Sequence, residues 1–246
     1  MSQSCGRNRY PSGDCGRSSG DNNFINAQYN VAAPNSLPVR IAQYQRHKMF
    51  RSFLILAAAS PEDTILDLGV TSDRSYDHSN YFEAWYSRKD RVTAAGVDDS
   101  HFLEDLYPGV RFVRADGRDL PFKDEAFDYV HSSAVLEHVG NEERQCQFLR
   151  EIWRVSRKGA FVTTPNRWFP VEFHTLLPLL HWLPQQLYRA ILPVMGREFF
   201  ASEDNLNLLS RNALSRLASR AGIRNARIET VALFGWPTNL ILTAQK

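Results

Sequence analysis

Three cysteines in 246 residues, Cys5, Cys15 and Cys146, are too few for a disulfide framework and fit a reducing compartment. The N-terminus carries no apolar run before its Gly, Ser and Asn residues, so a cleaved secretory signal is not expected and a cytoplasmic protein is. No sign of charge dominates: the formal net charge is +2, with basic and acidic residues interspersed. Nothing therefore demands nucleic acid as a partner, although a phosphate-rich substrate stays open. The most aromatic stretch, Trp168 to Pro184, holds too many prolines and polar interruptions to span a bilayer as a helix. What is present is 43% hydrophobic content, enough for a full core in one domain with extensions.

Residues 1–35 are rich in Ser, Gly, Asn and Arg with almost no aliphatic content, which cannot offset the entropy of ordering; a disordered tail is expected there. Cys5-Gly6-Arg7 and Cys15-Gly16-Arg17 repeat within it, but two cysteines so far apart, with no paired Cys or His, match no usual zinc spacing. From Ser36 onward, Ile41, Tyr44, Met49, Phe53 and Leu56 recur at roughly helical spacing, while Arg40, Arg46, Lys48 and Arg51 take other faces. An amphipathic helix leading into a first strand follows.

Strands are expected at Thr64–Leu68, Val92–Val97, Val110–Arg114, Phe127–His131 and Ala160–Thr164. Between them fall a long polar loop from Val70 to Ser79, a helix beginning near Asn80, and a short helix capped by Ser100 and stopped by Tyr107-Pro108-Gly109. A helix from Glu142 to Val155, buried through Phe148, Leu149, Ile152 and Trp153, is ended by Ser156-Arg157-Lys158-Gly159. This alternation implies right-handed crossovers and a parallel sheet. The pattern breaks after Thr164-Pro165-Asn166. A helix from Ser210 to Ala221, stopped by Gly222, precedes Ala226–Leu233 and Asn239–Ala244, which have no helix between them and should form an antiparallel hairpin around Gly235-Trp236-Pro237.

Asp67-Leu68-Gly69, Gly96-Val97-Asp98 and Arg114-Ala115-Asp116-Gly117 put carboxylates at successive strand ends, where open parallel sheets bind ligands. For a ligand carrying ribose and adenine, Asp98 suits the ribose hydroxyls and Asp116 the adenine amino group, with the Gly117 backbone near a ring nitrogen. Gly69 would let the backbone approach the ligand closely. A nicotinamide dehydrogenase is disfavoured, because no Gly-x-Gly-x-x-Gly run follows the first strand.

These motifs, with Asp119-Leu120-Pro121-Phe122, Phe127-Asp128, Ser132-Ser133-Ala134-Val135-Leu136-Glu137-His138-Val139 and the closing hairpin, resemble the class I S-adenosylmethionine-dependent methyltransferases. The resemblance is to the small-molecule group that includes the quinone-biosynthesis methyltransferases, from about residue 37 to the C-terminus. It implies a methyltransferase domain over residues 36–246 and S-adenosyl-L-methionine as cofactor. It also implies a Rossmann-like, doubly wound α/β sheet of seven strands, mostly parallel with an antiparallel C-terminal hairpin. The cofactor-binding residues it implies are Asp67, Gly69, Thr71, Asp98, Asp99, Asp116, Gly117 and Ser133. The family's first motif usually continues Asp-x-Gly-x-Gly-x-Gly, whereas Thr71 and Asp73 stand at the second and third glycine positions here. Thr71 is expected to turn outward or touch the methionine part of the cofactor. Asp73, which would repel the cofactor carboxylate, is expected to face solvent or pair with Arg74.

A sulfonium methyl is already activated, so the protein mainly has to hold a nucleophile in line at about 3–3.5 Å. Candidates near the expected methyl position are His131, Ser132 and Ser133 after strand four, and Thr164, Asn166 and Arg167 after strand five. His138 and His174 are the catalytic candidates, His138 as a general base near neutral pH, weighed against a preferred role bracing its loop. His181, like His174, lies in the aromatic segment, where a lone histidine is more often structural. Glu137 with Glu142 and Glu143 resembles cation-binding clusters of some quinone methyltransferases; acids complementing a helix N-terminus are preferred, so no metal site is expected.

Residues 167–209 are expected to form an aromatic cap insertion. Three readings compete for it: a lid over an apolar acceptor, which is preferred, a membrane-interfacial patch, or a core-packing insertion. The expected function is methyl transfer to a small, partly apolar biosynthetic acceptor. The alternatives are a non-catalytic S-adenosylmethionine-binding protein and a membrane-associated lipid-modifying methyltransferase. The expected partner is a small molecule, lipid-like under the interfacial reading with peripheral membrane contact, and not nucleic acid. The acceptor atom and the oligomeric state are not legible.

Overall fold

Near-continuous apolar runs make strands that must be covered on both faces, as parallel strands usually are. A computed structural model describes residues 36–56, 60–74 and 79–246, so the expected tail with Cys5 and Cys15 lies outside the described residues. The strands are β1 Ile65–Leu68, β2 Val92–Gly96, β3 Arg111–Arg114, β4 Phe127–Ser133, β5 Ser156–Pro165, β6 Arg227–Leu233 and β7 Trp236–Gln245. They form one sheet in the order β3-β2-β1-β4-β5-β7-β6. The pairings from β3 to β5 are parallel, and β7 is antiparallel to both β5 and β6. The expected Rossmann-like α/β sheet with its antiparallel hairpin is the one observed.

Successive residues of a strand face opposite sides, and the two cores divide accordingly. Leu66, Leu68 and Val130 face Phe148, Leu149 and Ile152 of α4 (Glu142–Val155) and Leu214 and Leu217 of α6 (Arg211–Arg220). On the other side, Ile65, Tyr129 and Phe161 face Met49, Phe50 and Phe53 of α1 (Leu37–Leu56) and Tyr81 and Phe82 of α2 (Tyr81–Trp85). The buried stripe of α1 is Gln45, Met49, Phe50 and Phe53; Tyr44, expected on it, is 54% exposed. The side chain of Asn141 caps α4 by accepting from the Arg144 N–H at 3.0 Å, and Ser210 caps α6 through Ala213 at 3.3 Å.

Three local expectations are corrected. No turn separates α4 from β5: Ser156 to Gly159 are already strand, because Arg157 and Lys158 are drawn onto Asp128 (2.6 and 3.2 Å) and Lys158 onto Asp63 (2.5 Å). Ser100 does not cap α3 (Phe102–Leu106) with its side chain; it is buried, and its carbonyl accepts from the Leu103 N–H at 3.0 Å. The hairpin turns at Phe234-Gly235, both with positive φ (50° and 83°), which leaves Trp236 and Pro237 inside β7. Two such residues make the tight turn that matches strand twist.

The C-terminal ends of β1 to β5 share one edge, and β6, which runs parallel to β5, also ends there. That edge carries residues 166–209, closed at the base by the bridge Asn166↔Leu209. The segment contains α5 (Gln185–Ile191) and a small core of its own, formed by Tyr188, Leu192, Phe200 and Leu206. Among the described residues no helix is long and apolar enough to cross a membrane.

Gly69 leaves β1 with φ at +107°, and a Cβ there would stand 2.1 Å from Cγ2 of Val135. The glycine is thus required by the turn and by a protein side chain. Gly69→Ala should lower stability in urea unfolding by about 1–3 kcal/mol, with Val135→Ala restoring only part of it, since the positive-φ strain remains.

Candidate functional site

At the end of β1, Asp67 is buried and its Oδ1 lies 2.5 Å from His131 Nδ1 on β4. The other ring nitrogen of His131 is 3.2 Å from the Tyr81 hydroxyl, and the ring is stacked between Phe82 and Phe161. Burial lowers the His131 pKa to about 3. The ring is therefore neutral, and its contacts assign Nδ1–H as the donor to Asp67 and Nε2 as the acceptor from Tyr81. Glu83 of α2, fully buried, completes the cluster: burial and then the Asp67 charge push its pKa well above the carboxylate range, and burial raises Asp67 to about 7. His131 and Ser132, expected near the acceptor, are instead buried in the sheet, where the Ser132 hydroxyl donates to the Leu68 carbonyl at 2.8 Å. Sequence reasoning missed Glu83. Its signal was an acid inside Tyr81-Phe82-Glu83-Ala84-Trp85, an otherwise apolar turn of helix.

The loop after β1 is fixed by Asn80, which accepts from the Thr71 N–H and donates to the Thr71 carbonyl, both at 2.9 Å. The Thr71 hydroxyl accepts from the Asp73 N–H at 3.1 Å, so it serves the turn. The Arg74 guanidinium lies over the Phe102 ring at 3.9 Å. Ser72 reaches Asp98 at the end of β2 with a 3.2 Å hydrogen bond, and Asp98 is buried beneath it. For Asp98 to meet a ligand, Ser72 must move aside.

Asp99 is turned away from Asp98: its side chain is 70% exposed and accepts from His101 Nδ1 at 2.7 Å. Asp116, after β3, is 41% exposed and paired with Arg118, whose Nε and Nη2 reach its two oxygens at 2.6–3.1 Å. Hydrogen bonds from Arg118 hold its carboxyl below the ordinary carboxylate pKa. A Cβ at Gly117 would stand 2.3 Å from the Phe148 ring, so this glycine is demanded by core packing. Ser133 is half-buried, with its hydroxyl 3.0 Å from that of Thr163.

His138 and His174 meet at the same edge, Nε2 to Nε2, at 3.0 Å. His138 Nδ1 is 2.7 Å from the Asn205 carbonyl, and His174 Nδ1 is 2.7 Å from Glu172 Oε1. Burial, then the charge of His174, lowers His138 to about 3. Burial opposes charge on His174, but Glu172 outweighs it and raises the pKa. Glu172 is likewise pushed up by burial, yet His174 and two backbone N–H groups bring it down to about 2. Both ring nitrogens of each histidine are therefore engaged. Glu137 is fully buried, with burial raising it to about 7, and it accepts from the Thr164 hydroxyl at 2.9 Å. Glu142 and Glu143 do not join it; they are exposed and pair with Arg220 at 2.5 and 2.7 Å. His181 is structural, with Nε2 2.7 Å from the Phe169 carbonyl.

Residues 79–164 match the methyltransferase domain family. They carry a methyltransferase domain. The match runs through β2 to β5 and leaves the cap and the hairpin outside. The methyltransferase domain is similar to a demethylmenaquinone methyltransferase of Roseiflexus sp. (strain RS-1), 33% identical over 102 residues that cover 42% of this chain and 40% of that protein. It is also similar to the enzyme of that name in Staphylococcus aureus (strain JH9), 26% identical over 129 residues, 49% of this chain and 50% of the other. The chain thus spans half or less of the length of these curated relatives. Among solved structures, the CurJ carbon methyltransferase aligns with a TM-score of 0.56 at 10% identity, over 86% of this chain and 56% of that one. The PH0226 protein from Pyrococcus horikoshii OT3 aligns with a TM-score of 0.53 at 15% identity, over 90% and 96%. These two share the fold.

The Asp67–Glu83 pair makes the protein's stability sensitive to pH in a defined direction. Both carboxyls keep their protons to higher pH folded than unfolded, so folding takes up protons between the ordinary carboxylate range, about 4, and about 7. The stability they contribute is full below that window and is lost as pH rises through it. In Glu83→Gln the amide stays neutral, and the fall in urea midpoint between about pH 5 and 7.5 should be shallower than in the unaltered protein. Parallel curves would show that the pair does not carry the effect.

Proposed function

We propose that this protein transfers the sulfonium methyl of S-adenosylmethionine to a small, partly apolar acceptor held between the sheet edge and the cap. One observation carries the reading: Asp67 and Asp98 are buried carboxylates at the ends of the adjacent parallel strands β1 and β2, under a cap inserted after β5. The donor set fits that cofactor. A buried Asp67 with an elevated pKa gains from an ammonium beside it, which would favour its ionised form. Asp98 offers acceptor oxygens for ribose hydroxyls once Ser72 withdraws, and Asp116 would serve adenine after exchanging its partner Arg118. Gly69, Thr71, Gly117 and Ser133 would meet the cofactor through their backbones. Asp99, turned to solvent, is left out of the set.

The cofactor supplies a methyl group that leaves from a neutral thioether. The chain's task is then positioning and exclusion of water, and aromatic side chains of the cap suit an apolar acceptor. The names of the curated relatives support a quinone-like acceptor. His138 and His174 do not offer a free nitrogen to an acceptor, so they enter this reading as supports of the loop and the cap.

Titration calorimetry with S-adenosylhomocysteine tests the cofactor site. Asp98→Asn should weaken binding by about 1.5–3 kcal/mol, roughly 10- to 100-fold, for the loss of charge-assisted hydrogen bonds. Unchanged affinity would refute the assignment. Binding with no methylated product across a panel of quinols and phenols would favour the non-catalytic reading instead.

A second reading, peripheral membrane contact by a lipid-modifying enzyme, is favoured by the aromatic rim at the same edge. Phe234 is fully exposed at the hairpin tip, beside Trp236, Trp182 and Trp168, whose rings are spaced 6.3–6.4 Å apart. Exposed aromatics of this kind favour the headgroup boundary. Vesicle co-sedimentation should fall several-fold in Phe234→Ser with Trp236→Ser, and no association even with anionic lipid would remove the idea.

A further inference from the structure

We propose, building on the membrane reading of the aromatic rim, that the N-terminal half of α1 and the tip of the β6–β7 hairpin form one docking surface for a membrane rich in anionic lipid. The helix supplies the charge and the hairpin supplies the apolar tip.

The direction of α1 brings the two together. Lys48 Nζ donates to the Ala232 carbonyl at 2.9 Å, two residues before Phe234 at the turn. Five residues further along α1, the Phe53 ring meets that of Phe161 at 5.5 Å, in the row of the sheet that continues through Thr243 to Arg227 at the far end of β6. The helix therefore descends along β6 away from the tip, and its first turns stand at the ligand edge. From Lys48 back to Leu37 is about 16 Å at the helical rise, against about 7 Å of strand from Ala232 to Phe234, so these turns reach the level of the tip.

The outer side of α1 is basic with apolar residues between the cations. Leu37, Arg40, Tyr44 and Arg51 follow one another at steps of three, four and seven residues and so share a face. All four are exposed, Leu37 at 68% and Tyr44 at 54%, and the Lys48 ammonium lies over the Tyr44 ring at 4.6 Å. The helix carries Arg40, Arg46, Lys48 and Arg51 and no Asp or Glu, and no carboxylate of the described residues pairs with Arg40 or Arg51. Such a face suits the headgroup layer of an anionic bilayer. The hairpin tip beside it, Val231 to Asn239, holds no charged residue, and Phe234 is fully exposed on its two-residue turn.

Shape favours lipid over other anionic partners. Phe234 projects from a convex turn, and a fluid bilayer takes in such a projection without a preformed socket, while Trp236, Trp182 and Trp168 suit the headgroup boundary. A soluble polyanion would satisfy the arginines and leave the apolar tip in water.

The full-length chain is co-sedimented with vesicles of phosphatidylcholine alone and with phosphatidylglycerol added. Binding should be stronger with phosphatidylglycerol and should weaken as salt is raised. Arg40→Gln with Arg51→Gln should bind the phosphatidylglycerol vesicles about 10- to 30-fold more weakly at an unchanged melting temperature. Leu37→Ser with Tyr44→Ser probes the same face without altering charge, and should weaken binding to both kinds of vesicle. If both α1 variants bind as the unaltered protein does while Phe234→Ser with Trp236→Ser loses binding, membrane contact stands and the role of α1 is overturned. No association of the unaltered protein with either vesicle would remove both. Retention on heparin without vesicle binding would assign the basic face to a soluble polyanion, and would equally overturn the proposal.

Discussion

A carboxylate in the middle of a doubly covered sheet has to be compensated, and the compensation of Asp67 organises the centre of this protein. Its 2.5 Å hydrogen bond to His131 crosses from β1 to β4, the two strands about which the sheet order reverses. The neutral ring then binds Tyr81, and the neutral acid of Glu83 lies against Asp67, so α2 is docked by polar contacts as well as by Phe82. Remove the water from such a cluster and each member dictates the protonation of the next. The crossover after β1, the strand pairing and the ligand edge are thereby one cooperative unit.

The cap obeys a different rule. It has its own apolar core, and polar contacts join it to the sheet: the bridge at Asn166 and Leu209, the Asn207 N–H on the Glu137 carbonyl at 2.8 Å, Gln145 on the Asn207 carbonyl at 3.0 Å, and the histidine pair. Polar unions are directional, and they fix an orientation that apolar packing alone leaves adjustable.

Much of the architecture was legible because it rests on short-range regularities. The helix from Glu142 to Val155, the capped helix at Arg211–Arg220 and the alternation of strands and helices follow from hydrophobic period, capping residues and glycine stops. The misread places were those where distant residues decide. Ser156 to Gly159 are strand because Asp63 and Asp128 draw Arg157 and Lys158 into line. A Cβ at Gly69 or Gly117 would meet the side chain of Val135 or Phe148, neither of which is near it in sequence.

By itself the sequence determined the fold class, the order of its elements and the carboxylates at the strand ends, since periodicity and motif spacing are written along the chain. Only the tertiary structure decided which of those carboxylates are buried, which are paired, and that Glu83, Glu172 and Asn205 are the partners that matter. Burial and pairing depend on groups brought together from remote parts of the chain, and His138 and His174, thirty-six residues apart in sequence, carry no local mark that their rings meet.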